Sequence, residues 1–286
     1  MSSKLVRVLG FAAMSAAALG CGDSGSGGNE VPGDPAASWV PLSEMTFDDI
    51  IPGIVSFATP WGDRAVGPHA TFARVAAGKG IPAHLHSNDV RAVIFDAPME
   101  IPVPSNETEP GSLTLGSYMF VPGMAQHAMN CTNATADCLF LILQEDAFNF
   151  VPTDPPPGDP PVARNPDAEM KKFENVEFVE LIPGILEFGP LYGDFMTGAH
   201  GTIARVKAGT GIPPHWHSLE VRGFVLQGMV EVPVPFDQTK PLTMTSGAYF
   251  LVPAAAEHAM NCVSETTDCL FLMVQDGAFD VTFLDM

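Results

Sequence analysis

The chain has 286 residues, 13 basic and 33 acidic side chains, and a formal charge of −20. A charge of this sign repels nucleic acids and anionic lipid headgroups, so we expect no nucleic acid as a binding partner. The length accommodates two domains of roughly 110 residues, each large enough to bury a core of its own.

Residues 1–21 have the pattern of a bacterial lipoprotein signal peptide. Lys4 and Arg7 provide the positive start, a short apolar stretch follows, and Ala-Leu-Gly precedes Cys21. We expect cleavage before Cys21 and lipidation of its thiol, which would anchor the protein to a membrane of the bacterial cell envelope, facing the periplasm or the cell surface. An ordinary signal peptide that leaves a free thiol at Cys21 is the alternative. Residues 22–45 are then a Gly/Ser/Pro-rich tether without a core.

The remainder of the chain is a tandem repeat with a single offset of 131 residues. All eight histidines obey this offset, as do four of the five cysteines. A period far above the roughly 20 to 50 residues of a solenoid unit indicates two whole domains. We assign them to residues 46–151 and 177–286. The intervening residues 152–176 are rich in proline and charge, and we expect a linker without packed strands.

The segments within each repeat have the pattern of short β-strands. HGTIARV and CLFLMVQDG, for example, either alternate apolar and polar residues or are continuously apolar, and Gly, Pro and Asn lie between such segments. No long stretch shows helical periodicity. Many short strands separated by Gly/Pro turns are typical of an antiparallel sandwich or barrel. We therefore predict an all-β fold in each copy.

Two motifs in each repeat contain candidate metal ligands. The first, GIPAHLHS or GIPPHWHS, has two histidines one residue apart, which directs both rings to one face of a strand. The second, GSYMFVPGMAQH or GAYFLVPAAAEH, provides a third histidine from another strand. Three neutral imidazoles leave open positions on a bound metal for water or substrate. The predicted ligands are His84, His86 and His127 in the first copy, and His215, His217 and His258 in the second.

The four repeated cysteines close short polar loops. TNATAD separates Cys131 from Cys138, and VSETTD separates Cys262 from Cys269. In an exported protein we expect one disulfide in each domain. The alternative is that Cys131 and Cys262, which share strand parity with the third histidine of each copy, are thiolate ligands of a closed, structural metal site.

These motifs resemble those of the cupin superfamily, whose first motif is Gly, His-x-His, an acid and Gly, and whose second is Gly, Pro and His at the spacing seen here. The wider pattern is similar to an uncharacterised double-cupin family related to the cupin domain of ChrR-type anti-sigma factors. This resemblance covers both repeats. It implies two tandem cupin barrels of the double-stranded β-helix or jelly-roll type, each with one divalent metal (iron, manganese or zinc) and a small-molecule ligand or substrate. By analogy it also suggests a homodimer.

The sequence departs from the cupin pattern at the acid. Where cupins carry a glutamate ligand, this chain has Val90 and Val221, with Asp89 and Glu220 one position early. Strand alternation turns these acids away from the histidines unless a bulge redirects them. If they face away, Asp89 can pair with Arg91 and Glu220 with Arg222, since each arginine is two residues further along the same face of the strand.

His69 and His200 each lie just before a predicted strand, after a Gly-containing turn. We treat them, together with Asp89 and Glu220, as candidates for a fourth metal ligand or for proton transfer. The alternative for the two histidines is a structural role in which a ring nitrogen bonds the backbone and holds a loop.

Three functions fit this sequence. The first is a metal-dependent enzyme acting on a small organic molecule as a dioxygenase, isomerase or hydrolase. The second is a non-catalytic binder or sensor of a metal or ligand, and the third is a structural module. Retention of every ligand histidine in both copies favours the first two. An enzyme of the oxidoreductase type is favoured over a binder, and the substrate and the reaction remain open.

Overall fold

A computed structural model of the chain describes residues 38–101, 111–154, 167–232 and 242–284. These ranges belong to one compact unit, Pro35–Met286. The predicted signal peptide and its lipidation site, Cys21, lie outside the described residues. Within the described ranges, no helix has the length and apolar character needed to cross a membrane.

The described residues form short strands and two 3-10 helices, Leu42–Glu44 and Phe173–Asn175. The strands up to the predicted linker are β1 (Ser38–Val40), β2 (Asp48–Ile51), β3 (Val55–Gly62), β4 (His69–Val75), β5 (Gly80–Leu85), β6 (Val90–Asp96), β7 (Met99–Ile101), β8 (Gly111–Leu113), β9 (Tyr118–Val121), β10 (His127–Cys131), β11 (Cys138–Gln144) and β12 (Val151–Pro152). The later strands are β13 (Glu169–Lys171), β14 (Val179–Ile182), β15 (Leu186–Gly193), β16 (His200–Val206), β17 (Gly211–Trp216), β18 (Val221–Gln227), β19 (Val230–Val232), β20 (Leu242–Met244), β21 (Tyr249–Val252), β22 (His258–Cys262), β23 (Cys269–Gln275) and β24 (Thr282–Phe283).

Each half of the protein contains one seven-stranded and one five-stranded antiparallel sheet. In the first half the strand orders are β13-β9-β6-β11-β4-β3-β2 and β12-β5-β10-β7-β8. In the second half they are β1-β21-β18-β23-β16-β15-β14 and β20-β19-β22-β17-β24. The same arrangement therefore occurs twice, as the offset of 131 residues predicts, and the predicted all-β fold with two tandem barrels is confirmed.

Alternation along the strands separates two apolar surfaces. On β4, Ala73 and Val75 belong to the core inside the first barrel, whereas Ala70 and Phe72 face a second core. That second core contains residues of both halves, among them Phe224 and Tyr249. Since successive side chains of a strand point to opposite faces, one strand contributes both to its own barrel and to the contact between the barrels.

The two halves exchange their first strands. β1 pairs with β21 of the second half, and β13 pairs with β9 of the first half. Two expectations were therefore wrong: the segment 22–45 is not entirely a tether, and the segment 152–176 contains a packed strand. The 3-10 helices after these strands also pack on the opposite half, where Leu42 lies against Gly247 and Phe173 against Gly116. A Cβ on either glycine would overlap these side chains, and both glycines have positive φ.

Candidate metal centres

Three histidines meet inside the first barrel. His84 on β5 is directly opposite His127 on β10, and His86 follows the end of β5. The register between β5 and β10 shifts just before His84, next to Pro82. Such a bulge suits a proline, which has no N–H to donate to the ladder, and it turns His84 inward together with His86. One ring nitrogen of each histidine lies within 4.8 Å of the other two.

Backbone carbonyls assign the proton of each ring. A carbonyl only accepts hydrogen bonds, so a ring nitrogen facing one must carry the proton. In all three histidines this nitrogen is Nδ1, which leaves the Nε2 lone pairs free to bind a metal. The bonds run from His84 to Pro82 (2.8 Å), from His127 to Ala125 (3.1 Å), and from His86 to Asn149.

The second barrel repeats this geometry. His215, His217 and His258 offer ring nitrogens within 4.8 Å of one another. Their Nδ1 atoms donate to the carbonyls of Pro213 (2.7 Å), Asp280 and Ala256 (3.0 Å), respectively. Both predicted triads are therefore brought together in the same tautomer.

Burial keeps all six imidazoles neutral. Desolvation lowers the pKa of His84 and of His215 to about 4, and that of His258 to about 3. The pKa values of His86, His127 and His217 are lowered for the same main reason. Because a metal binds only the unprotonated imidazole, both triads are ready to bind one at neutral pH.

The first triad lines a cavity of about 20 Å³, which is enough for roughly one water molecule. Its other lining residues are all apolar. Phe150 stacks on His84 with ring centroids 4.4 Å apart, and Phe148 lies 5.0 Å from His86. Within the described residues, this cavity has no carboxylate in its lining.

Comparison with known proteins finds one family match in the second half of the chain and several similar folds. Residues 167–280 match the family described as the ChrR cupin-like domain. A variant of oxalate decarboxylase from Bacillus subtilis is similar in structure, with a TM-score of 0.60 and 12% identity over 88% of this chain and 80% of that chain. A protein from Nostoc punctiforme described as a candidate dioxygenase has a TM-score of 0.63 and 10% identity, over 87% of each chain.

A formate complex of oxalate decarboxylase from Lactobacillus farciminis is also similar, with a TM-score of 0.59 and 12% identity over 88% of this chain and 90% of that chain. No curated protein matches the sequence. At these identities the structural likeness establishes the fold.

The protein has a bicupin fold, with two tandem cupin barrels. The cupin resemblance of its motifs is thereby confirmed, and the two histidine triads occupy the same place in its two barrels.

The acids of the bicupin do not join the triads. Asp89 accepts a hydrogen bond from the backbone N–H of Gly123 at 2.9 Å, and Glu220 lies 3.7 Å from Arg222. Among the described residues, both groups with metal-binding geometry contain histidines only. Pairing with the next arginine is therefore confirmed for Glu220, and Asp89 binds a turn instead.

His69 and His200 lie outside the triads. The Nδ1 atom of His69 is hydrogen-bonded to the hydroxyl of Thr71, and that of His200 to the hydroxyl of Thr202, each at 2.9 Å. Burial lowers the pKa of His69 to about 4, partly opposed by the nearby amide of Gln144. Phe148 lies between the two kinds of histidine, since its ring is close to both His69 and His86. Neither histidine therefore belongs to a group with metal-binding geometry. The alternative structural role predicted a backbone partner for the ring nitrogen, and the observed partner is a threonine hydroxyl.

The two barrels differ around these histidines. In the first, Arg64 donates to Thr59 at 2.9 Å, and the Thr59 hydroxyl lies 3.0 Å from that of Thr71. In the second, the equivalent positions are Phe195 and Pro190. The polar chain behind His69 therefore has no counterpart behind His200.

The four repeated cysteines form two disulfides, Cys131–Cys138 and Cys262–Cys269. The predicted pairing is confirmed. The alternative of thiolate ligands is wrong, because a disulfide sulfur has no thiolate to offer a metal.

Sequence reasoning missed the segments that cover each triad. Asn149 and Asp280 orient His86 and His217 through their backbone carbonyls. Their side chains also accept a hydrogen bond from the backbone N–H of the serine that follows each histidine, Ser87 and Ser218, respectively. The repeated QEDAF and QDGAF sequences just before them were the available signal.

Proposed function

We propose that this bicupin is a metal-dependent enzyme in which each barrel holds one transition-metal ion on three neutral histidines and acts on a small organic molecule. The observation that supports this most directly is the uniform tautomer of the triads. All six Nδ1 protons are engaged by carbonyls, so six Nε2 lone pairs remain for two metals. Hydrogen bonds from the other ring nitrogen to a carbonyl are what orient metal-bound histidines in general.

The donor set fits a mononuclear site with open positions. His84, His86 and His127 would hold one metal, and His215, His217 and His258 the other. A redox-active metal would supply oxygen or electron-transfer chemistry there, whereas zinc would supply Lewis-acid chemistry. The chain itself keeps the rings neutral, fixes their orientation and excludes bulk water, because apolar side chains line the first cavity.

Oxidoreductase or decarboxylase chemistry is favoured over hydrolysis. The similar structures include oxalate decarboxylases and a candidate dioxygenase. The apolar walls around the first triad also suit a substrate held by the metal rather than by protein side chains. We extend this chemistry to the present chain as part of the proposal.

A non-catalytic metal or ligand sensor is the second candidate. It is favoured by one observation: in the described lining of the first cavity, no carboxylate, lysine or arginine is available to transfer a proton. Turnover separates the two candidates, since a sensor would bind the metal and a small ligand without consuming the ligand.

The test begins with elemental analysis of the chain from residue 22 to residue 286, purified without chelator. We expect about two metal equivalents, in line with two triads. His84→Ala and His215→Ala should each remove one equivalent, and the double variant both. Oxalate, other small carboxylates and dioxygen uptake are then assayed on the loaded protein. Metal content that is low and unchanged in the variants would contradict the proposal.

We further propose that the protein is exported and lipidated at Cys21. The two disulfides support export, because disulfides persist in oxidising compartments and are rare in the cytosol. Mass spectrometry of the N-terminal peptide tests this: a diacylated Cys21 is expected, and an unmodified thiol or an uncleaved N-terminus would contradict it. We also propose the homodimer that the cupin resemblance suggests. Light scattering of the chain from residue 22 to residue 286 should give twice the mass of one chain, and the mass of a single chain would contradict it.

A further inference from the structure

The first cavity offers a metal two kinds of side-chain donor atom. Imidazole nitrogen comes from the triad, and thioether sulfur comes from Met119 and Met129, which line the same cavity. Every other described lining residue is a hydrocarbon side chain. The cavity wall therefore contributes neither a side-chain oxygen nor a negative charge.

Met129 lies on the same face of β10 as His127. It lies two residues after His127 on β10, both side chains point into the barrel, and Met129 is only 2% exposed. The second barrel repeats this pair, since Met260 follows His258 at the same spacing and is 4% exposed. Met119, by contrast, is replaced by Phe250 in the second barrel. The sulfur common to both sites is that of Met129 and Met260.

The donor set discriminates between metals by softness and by charge. Manganese and magnesium prefer oxygen ligands, whereas thioethers select copper(I). Copper also has the highest affinity for nitrogen ligands in the divalent series. A neutral, apolar site further disfavours high charge, because nothing in the wall compensates it, and copper(I) carries the least.

We infer that both triads select copper, with Met129 and Met260 providing a sulfur ligand in addition to three imidazole nitrogens. This inference rests on the proposed metal-binding function and names copper in place of the iron, manganese or zinc that the cupin resemblance implies. Copper is redox-active, so the choice agrees with oxidoreductase chemistry.

The experiment is a metal competition with an independent spectroscopic measurement. The metal-free chain is mixed with equal amounts of copper, zinc, manganese and iron under reducing, anaerobic conditions that leave the disulfides intact, and the bound metals are counted. We expect about two copper ions per chain. X-ray absorption at the copper edge should then show copper–sulfur scattering in addition to copper–nitrogen scattering.

The double variant Met129→Leu/Met260→Leu keeps the volume and apolar character of both positions. We expect it to lose the copper–sulfur signal and to bind copper(I) about tenfold more weakly, with zinc affinity unchanged. Met99→Leu is the matched control: Met99 is fully buried in the same barrel but does not line the cavity. It should retain the signal and the affinity.

The possible failures are distinguishable. Preference for zinc, manganese or iron in the wild-type chain, or a copper site without sulfur scattering, would overturn the inference. The proposed metal-binding function would survive either result if His84→Ala and His215→Ala still removed the bound metal. If no metal bound to the wild-type chain, the proposed function itself would fail.

Discussion

His86 donates its Nδ1 proton to the backbone carbonyl of Asn149, whereas the equivalent His217 donates to that of Asp280. The backbone geometry is the same, but only the second barrel places a carboxylate beside the bond. Burial lowers the pKa of His217, and both the carbonyl and the charge of Asp280 oppose that effect. The two metal centres therefore differ in electrostatics although their ligands are identical.

Exchanging these two residues should exchange the metal affinities. Asp280→Asn is expected to weaken metal binding in the second barrel about threefold to tenfold, and Asn149→Asp to strengthen it in the first by a similar factor, because a nearby negative charge favours the bound cation. Metal titration measures each affinity in a protein with one site: His215→Ala leaves only the first site, and His84→Ala leaves only the second. Glu44→Gln removes an exposed charge elsewhere and should change neither.

The stability of the metal-free protein should fall with acidification. The pKa values of His84 and His215 are about 4 in the folded chain, below the ordinary value of 6.5, so the unfolded chain binds more protons between these pH values. Each such histidine lowers the free energy of unfolding by about 1.4 kcal/mol per pH unit from about 6.5 down towards 4, and contributes no slope above 7.

Urea unfolding at pH 8, 7, 6 and 5 measures this dependence. The double variant His84→Gln/His215→Gln should show a shallower loss than the wild type. Equal stability at pH 5 and 7, or identical slopes for the two proteins, would contradict the neutral triads.

Arg222 connects the two barrels. Its guanidinium lies 4.3 Å from the ring centroid of Trp61 and forms an ion pair with Asp276, and its side chain is only 6% exposed. Arg91, at the equivalent position, lies 5.0 Å from the ring centroid of Tyr192 in the opposite barrel. Each barrel therefore places an arginine over an aromatic ring of the other.

Removal of the Arg222 charge should destabilise the contact between the barrels. Arg222→Met retains an apolar stem and is expected to cost about 1 to 3 kcal/mol in thermal or urea unfolding. Glu220→Gln is the control, since the Glu220 side chain is 43% exposed and lies 3.7 Å from Arg222, and we expect a loss of at most about 0.5 kcal/mol. An effect of equal size in both variants would show that the contacts of Arg222 with Trp61 and Asp276 add no stability.

Gly223 provides space for an aromatic ring in the second barrel. A Cβ at this position would lie 1.9 Å from the Phe250 ring, where the first barrel has the pair Ala92 and Met119. Gly223→Ala should therefore destabilise the protein by about 1 to 3 kcal/mol through overpacking. Gly198→Ala, with no atom within 4 Å of the added Cβ, should have little effect. Calorimetry of both variants measures the difference.

The sequence predicted the strands and the triads because both depend on patterns local to one chain segment. Alternating side chains define a strand, and His-x-His on one strand needs only one partner from another. Because the motifs recur 131 residues later, each prediction for the first barrel was supported by the same pattern in the second.

The exchanged strands were not predictable in the same way. β1 has the sequence SWV and β13 the sequence EMK, which share no residue type, so the repeat is invisible there. Their strand conformation depends on an edge offered by the other half. The contribution of Asn149 and Asp280 to the triads was also hidden, because it comes from a backbone carbonyl that every residue possesses.

In the proposed metal centres, three Nε2 atoms in each barrel bind one metal while the Nδ1 protons remain hydrogen-bonded to backbone carbonyls. Nitrogen NMR of the eight histidine side chains during zinc addition tests this arrangement. We predict that six imidazoles shift at Nε2 and keep the Nδ1 proton, and that His69 and His200 retain their metal-free chemical shifts at both ring nitrogens. Zinc-induced shifts at Nδ1, or shifts confined to fewer than three histidines in a barrel, would contradict the account.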